Sequence, residues 1–80
     1  MVTESQFLVD LQGMLDRNSS ISMDMDLLDI EEWDSFSKAV FIAAAEQQYH
    51  IKVERFAVAM AETVADLYNA LQNAVEKQGE

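Results

Sequence analysis

Leu27-Leu28-Asp29-Ile30-Glu31-Glu32-Trp33-Asp34-Ser35-Phe36 is the stretch on which the reading of this chain turns. Acids and hydrophobes alternate through it without a sustained helical stripe until Asp34. From Ser35 onward, Phe41, Ile42, Ala45 and Tyr49 recur at i, i+1, i+4 and i+8, one face of an amphipathic helix that runs from Ser35 to Tyr49. Ser35 therefore stands at a helix start, entered from an acidic loop that reaches back to Asn18. A loop of about seventeen residues is uncommon in a small domain and is often functional. Ile21, Leu27, Leu28 and Ile30 are the residues expected to pin it across the helices.

On the N-terminal side, Thr3-Glu4-Ser5-Gln6 has capping-box spacing, and Phe7, Leu8, Leu11, Met14 and Leu15 form one apolar stripe. They predict a first helix that ends near Asp16 or Arg17. On the C-terminal side, His50-Ile51-Lys52-Val53 reads as an extended connection, and Glu54 to Met60 as a short helix or turn. Thr63 can then cap a last helix, with Asp66 in its first turn and Val64, Leu67, Tyr68, Leu71 and Val75 facing inward. Gln78-Gly79-Glu80 is expected to fray. No proline interrupts these segments. The expected fold class is all-α, a small four-helix bundle with a long first loop and a short third helix, with residues 1–80 as a single domain.

Fifteen Asp and Glu against five Lys and Arg give a formal charge of −10, which repels phosphate backbones and anionic membrane surfaces. Nucleic acid and membrane are thus not expected partners, whereas basic patches on other proteins are favoured electrostatically. Without cysteine there are no disulfides, thiolate nucleophiles or zinc–sulfur sites. Met1 to Asp10 has neither a basic leader nor a sustained apolar run, so the expectation is a cytoplasmic monomer.

A serine nucleophile needs a base, and the chain has one histidine. His50 lies at the opposite end of Ser35's own helix, roughly 22 Å away at 1.5 Å per residue, so catalysis by this pair is not expected. Asp24, Asp26 and Asp29 come close together in sequence, but a calcium loop needs glycine at its sixth position and glutamate at its twelfth, where this chain has Asp29 and Ser35. No metal site is expected. Local chemistry leaves two roles for Ser35: a helix cap, or the acceptor of a group added by another protein. A phosphodiester there would lie beside the backbone N–H groups of a helix start.

Taken with its surroundings, the stretch from Leu27 to Phe36 resembles the approach to the prosthetic-group serine of acyl and peptidyl carrier proteins. Ala44-Ala45-Glu46-Gln47-Gln48-Tyr49-His50-Ile51-Lys52-Val53 looks like that family's ending of the second helix, and Thr63-Val64-Ala65-Asp66-Leu67 like its start of the last. The resemblance spans nearly the whole chain. It implies a bundle of acyl-carrier type and no catalytic activity of the chain's own. It also implies that Ser35 receives 4′-phosphopantetheine from coenzyme A through a separate, magnesium-using phosphopantetheinyl transferase, which Asp34 helps to engage. The arm then carries an acyl or aminoacyl group as a thioester between loading and acyl-processing enzymes.

The sequence departs from the family pattern at Glu32, where glycine is frequent, and at Phe36, where leucine or methionine is frequent. Lys38, Val40 and Ala43 make the second helix less acidic than in fatty-acid carriers. These departures point to a free-standing carrier of polyketide, nonribosomal-peptide or related secondary metabolism. Phe36, Val40 and Ala43 at i, i+4 and i+7 form a candidate partner-docking stripe with Glu46 at its rim, set against packing of Phe36 over the loop and a boundary role for Val40. Trp33 is either a loop anchor or a contact for the arm. Small residues at Ala43 to Ala45 and the flexible Met60 either leave room for cargo or let the second and third helices pack closely. The reading from another class is an unmodified helical scaffold that binds a partner enzyme.

Overall fold

The structure is a computed structural model that describes residues 2–16 and 20–78. Four helices follow one another: α1 (Glu4–Met14), α2 (Ser35–Tyr49), α3 (Arg55–Met60) and α4 (Val64–Gln78). The expected all-helical bundle is therefore present, with its long first connection and its short third helix. The start of that first connection and most of the terminus expected to fray fall on residues 17–19, 79 and 80, which lie outside the described residues, while Gln78 closes α4.

Helices α1, α2 and α4 start where a side-chain oxygen meets backbone donors, whereas Glu54 before α3 makes no such bond. Thr3 Oγ1 accepts from the Gln6 N–H at 3.1 Å. The reciprocal half of the expected capping box is replaced, because Gln6 donates its amide to Asp10 Oδ1 at 2.9 Å instead. At α4 both halves are made. Thr63 Oγ1 accepts from the Asp66 N–H at 3.2 Å, and Asp66 Oδ2 accepts from the N–H groups of Glu62 and Thr63 at 2.9 and 3.1 Å. Those bonds, the Glu62 one first, hold the Asp66 carboxyl below its usual range. Helix α1 ends at Met14, two or three residues earlier than expected, and Asp16 turns the chain with a positive φ of 52°.

The first connection is tied to the turn before α4. Asp26 and Thr63 form an antiparallel bridge. Around it the Leu27 N–H donates to the Glu62 carbonyl at 2.9 Å, Val64 to Met25 at 3.0 Å and Ala65 to Met23 at 2.9 Å. Leu27–Asp29 then forms one turn of 3₁₀ helix. Ile21, Leu27 and Ile30 are buried, as the sequence suggested. Leu28 is not a pin. It is 98 % exposed, because successive residues of a three-per-turn helix point about 120° apart, and with Leu27 inward Leu28 faces solvent.

Phe7 and Leu11 of α1, Phe41 and Ala45 of α2, Val58 of α3 and Val64, Leu67 and Leu71 of α4 are all buried. The core thus takes side chains from every helix. A run of edge-to-face rings crosses it, from Trp33 to Phe41 (5.9 Å), Phe41 to Phe7 (6.3 Å) and Phe7 to Tyr68 (5.2 Å). Such pairs add about 0.5–1.5 kcal/mol each beyond area burial. At the other end of α2, the Tyr49 hydroxyl donates to Asp10, which also accepts from Gln48 Nε2 at 3.1 Å. Burial, reinforced by the Asp10 carboxylate, pushes the Tyr49 phenol above its ordinary value. Among the described residues, no helix is long and apolar enough to cross a membrane.

Candidate functional site at the start of α2

Asp34 is the N-cap of α2, and Ser35 is its first helical residue. Asp34 Oδ1 accepts from the Ser37 N–H at 2.8 Å, and its backbone carbonyl takes the Lys38 N–H at 3.0 Å. Hydrogen bonding from Ser37, first of all through its backbone N–H, depresses the Asp34 carboxyl below its usual range. The Ser37 hydroxyl also donates to the Glu32 carbonyl and closes the turn that leads into the helix.

Two expectations change here. The cap is Asp34 and not Ser35, since an aspartate directly before the helix reaches the third backbone N–H as well as serine does. The anion site expected at the helix start is also partly filled by Asp34's own carboxylate. What this leaves to Ser35 is freedom. It is exposed, and its hydroxyl has no hydrogen-bond partner among the described residues.

Beside Ser35, a groove of about 800 Å³ opens between α2 and α3, within the size range of small-molecule sites. Ser35, Lys38, Ile42 and Glu46 line it from α2, and Lys52, Val53, Arg55 and Val58 from across it. A second cavity of about 370 Å³ lies between α1 and α2, bounded by Phe7, Met14, Phe41 and Tyr49; it does not include Ser35. Of the small residues Ala43 to Ala45, only Ala43 lines the first groove, beside Ala39 and Ala59; Ala44 and Ala45 line the second cavity, and Met60 is exposed.

The candidate docking stripe is divided. Phe36 is 76 % exposed and does not pack over the loop. Val40 is half-buried, whereas Ala43 and Glu46 belong to the groove wall that Ser35 shares. Trp33 is half-buried with its ring against Phe41, and its backbone N–H donates to the Ile30 carbonyl at 3.0 Å. Of its two readings, the structure supports the loop anchor. His50 caps the far end of α2 in the left-handed region, φ 56° and ψ 42°. It is nowhere near Ser35. Lys52 and Arg55 were not singled out from the sequence; the cue was available in how few basic residues the chain has and in the pairing of α2 with α3 that the short third helix implies.

The donor set fits a phosphopantetheine ester at Ser35. A free hydroxyl stands at the surface, a groove leads away from it, and Lys38, one helical turn on, supplies positive charge for a phosphodiester. No family model and no curated protein matches the chain. Among solved structures, the solution NMR structure of a holo acyl carrier protein from Geobacter metallireducens is similar at 22 % sequence identity. The likeness covers 98 % of this chain and 91 % of that one with a TM-score of 0.79, so the fold of this chain is that of the acyl carrier proteins.

Proposed function

We propose that this chain is a carrier protein whose Ser35 bears 4′-phosphopantetheine and which passes intermediates between the enzymes of one specialised pathway. The observation that carries this reading is the unpartnered Ser35 hydroxyl at the first position of α2, with a groove running from it, on an acyl-carrier fold. In the loading step the Ser35 oxygen forms a bond to the phosphorus of coenzyme A that carries the pantetheine, the phosphoanhydride bond breaks, and 3′,5′-ADP leaves; the hydroxyl proton goes to a base of the magnesium-dependent transferase. The terminal thiol of the attached arm holds an acyl or aminoacyl group as a thioester.

The chain's own residues present and orient. Asp34 holds the first turn of α2 closed through Ser37, so Ser35 is offered on a fixed helix end rather than on a mobile loop. Trp33 fixes the approach to that end by its contact with Phe41. Phe36, exposed beside Ser35, gives a partner an apolar anchor, with Val40 behind it as a boundary residue. An aromatic anchor and a basic Lys38 in place of an acidic face suit a dedicated partner of polyketide, nonribosomal-peptide or related metabolism.

Intact-mass measurement after incubation with coenzyme A and a broad-specificity phosphopantetheinyl transferase tests the reading. The expected result is a single phosphopantetheine-sized increase that disappears in Ser35→Ala. No increase with any of several transferases would instead identify an unmodified scaffold that keeps the carrier fold.

A further inference from the structure

Basic residues are scarce in this chain, five against fifteen acids, yet Lys38, Lys52 and Arg55 all line the groove that starts at Ser35. Only two of the fifteen acids, Glu46 and Glu54, share that lining. None of the three cations has a hydrogen-bond or ion-pair partner among the described residues. An acidic protein that leaves most of its cations unpaired in one groove has built a place for an anion, because pairing them with any of its many carboxylates would have been easy.

Their positions along the groove differ. Lys38 is one turn from Ser35. Tyr49, at the other end of α2, is about 21 Å from Ser35 along the axis. Lys52 is three residues past Tyr49, and an extended chain spans at most about 3.6 Å per residue, so Lys52 stands at least about 10 Å from Ser35, with Arg55 three residues on. A phosphopantetheine arm has fourteen bonds from the serine oxygen to its sulfur, about 17 Å when extended at the same advance per bond. Lys38 is placed for the phosphodiester, which leaves Lys52 and Arg55, across the groove from α2, to the group the arm carries.

Resting on the carrier reading, we propose that the cargo held in this groove carries a negative charge of its own: an acyl group with a free carboxylate, such as a half-thioester of a dicarboxylic acid. Ile42, Val53 and Val58 give the methylene spacer an apolar floor. The guanidinium of Arg55 presents the fork that matches a carboxylate, and Lys52 adds charge beside it. An uncharged acyl chain gains nothing from these two groups. A cationic aminoacyl group meets Glu46 and Glu54 but also three like charges.

The test uses the full chain loaded through the transferase with hexanoyl, adipoyl or 6-aminohexanoyl coenzyme A, three cargos with one spacer length. Intact mass reports loading, and its failure for all three removes the carrier reading and this one with it. Once loading is established, the rate of thioester cleavage by hydroxylamine is measured for each, divided by the rate of the matching free pantetheine thioester. Adipoyl is expected to be protected about threefold more than hexanoyl, the size of an exposed ion pair. That advantage is expected to vanish in Lys52→Gln/Arg55→Gln and at high salt, and the backbone amide resonances of Lys52 and Arg55 are expected to shift only with adipoyl. Both side chains are exposed, so the double variant retains the fold, which its circular dichroism checks. Equal protection of adipoyl and hexanoyl, greater protection of 6-aminohexanoyl, or an adipoyl advantage that survives the double substitution would each overturn the proposal.

Discussion

Asp34, Ser35 and Phe36 are consecutive, and their surroundings divide three tasks among them. The Asp34 carboxylate is committed to Ser37 and closes the helix start, the Ser35 hydroxyl is uncommitted, and the Phe36 ring is 76 % exposed. A large ring left in water gains no burial from the fold, so its benefit lies in association. Phe36→Ala is therefore expected to leave thermal stability and the rate of phosphopantetheine loading unchanged within error, and to lower turnover with the cognate acyl-processing enzyme about tenfold or more, the effect of an interface anchor. Steady-state kinetics of the partner with the loaded carrier as substrate measures it; full turnover by the variant would remove Phe36 from the docking surface.

At the scale of elements, the part of the α1–α2 connection from Met23 to Leu27 is tied by backbone bonds to the turn before α4. Its bridge to Thr63 and the three backbone bonds around it tie the Leu27–Asp29 turn to the start of α4. Leu27 and Leu28 then separate burial from composition. Leu27→Ala removes a side chain that is 4 % exposed and is expected to cost about 2–5 kcal/mol. Leu28→Ala, at 98 % exposure, is expected to stay within about 0.5 kcal/mol of the parent. Urea unfolding of the two variants checks this, and a Leu28 variant as unstable as the Leu27 one would contradict the outward turn. Helices α1, α2 and α4 were legible because their 3.6 periodicity and the caps at Thr3 and Thr63 are local signals, whereas the short, uncapped α3 read only as a helix or turn. The bridge was harder to read. Met23-Asp24-Met25-Asp26-Leu27 alternates with a period of two, and only a partner distant in sequence, the turn before α4, makes that alternation an extended segment. Ser35 was legible as a helix start for the same local reason, but the cap at that start is Asp34, and the attachment role came only from the resemblance. The groove cations were not, because Lys38, Lys52 and Arg55 come together only when α3 packs on α2.

For the whole molecule, the charge of −10 sets two opposing responses to solution conditions. Unscreened carboxylates repel one another in the compact state, so added salt is expected to raise the melting temperature by several degrees, as long as it acts by screening. Lowering the pH from neutral relieves the same repulsion as carboxylates take up protons. Against this stand Asp34 and Asp66, whose carboxyls titrate lower in the folded chain than in the unfolded one because each accepts backbone N–H bonds at a helix start. A depressed carboxyl contributes stability that is present above its unfolded value, 3.8, and is lost as the pH falls through the lower folded value. Tyr49 has the opposite sign: its phenol is raised, so its contribution is complete below the ordinary tyrosine value of 10.0 and is lost as the pH rises past it. Stability is thus expected to peak in mildly acidic solution, fall below about pH 4 as the caps of α2 and α4 protonate, and fall again above about pH 10. Melting curves taken across that range, for the parent and for Asp34→Asn, Asp66→Asn and Tyr49→Phe, separate the terms. The two asparagine variants are expected to flatten the acid limb and the phenylalanine variant the alkaline limb; a parent that grows steadily more stable down to pH 3 would show that charge repulsion, and not the two caps, governs this fold in acid.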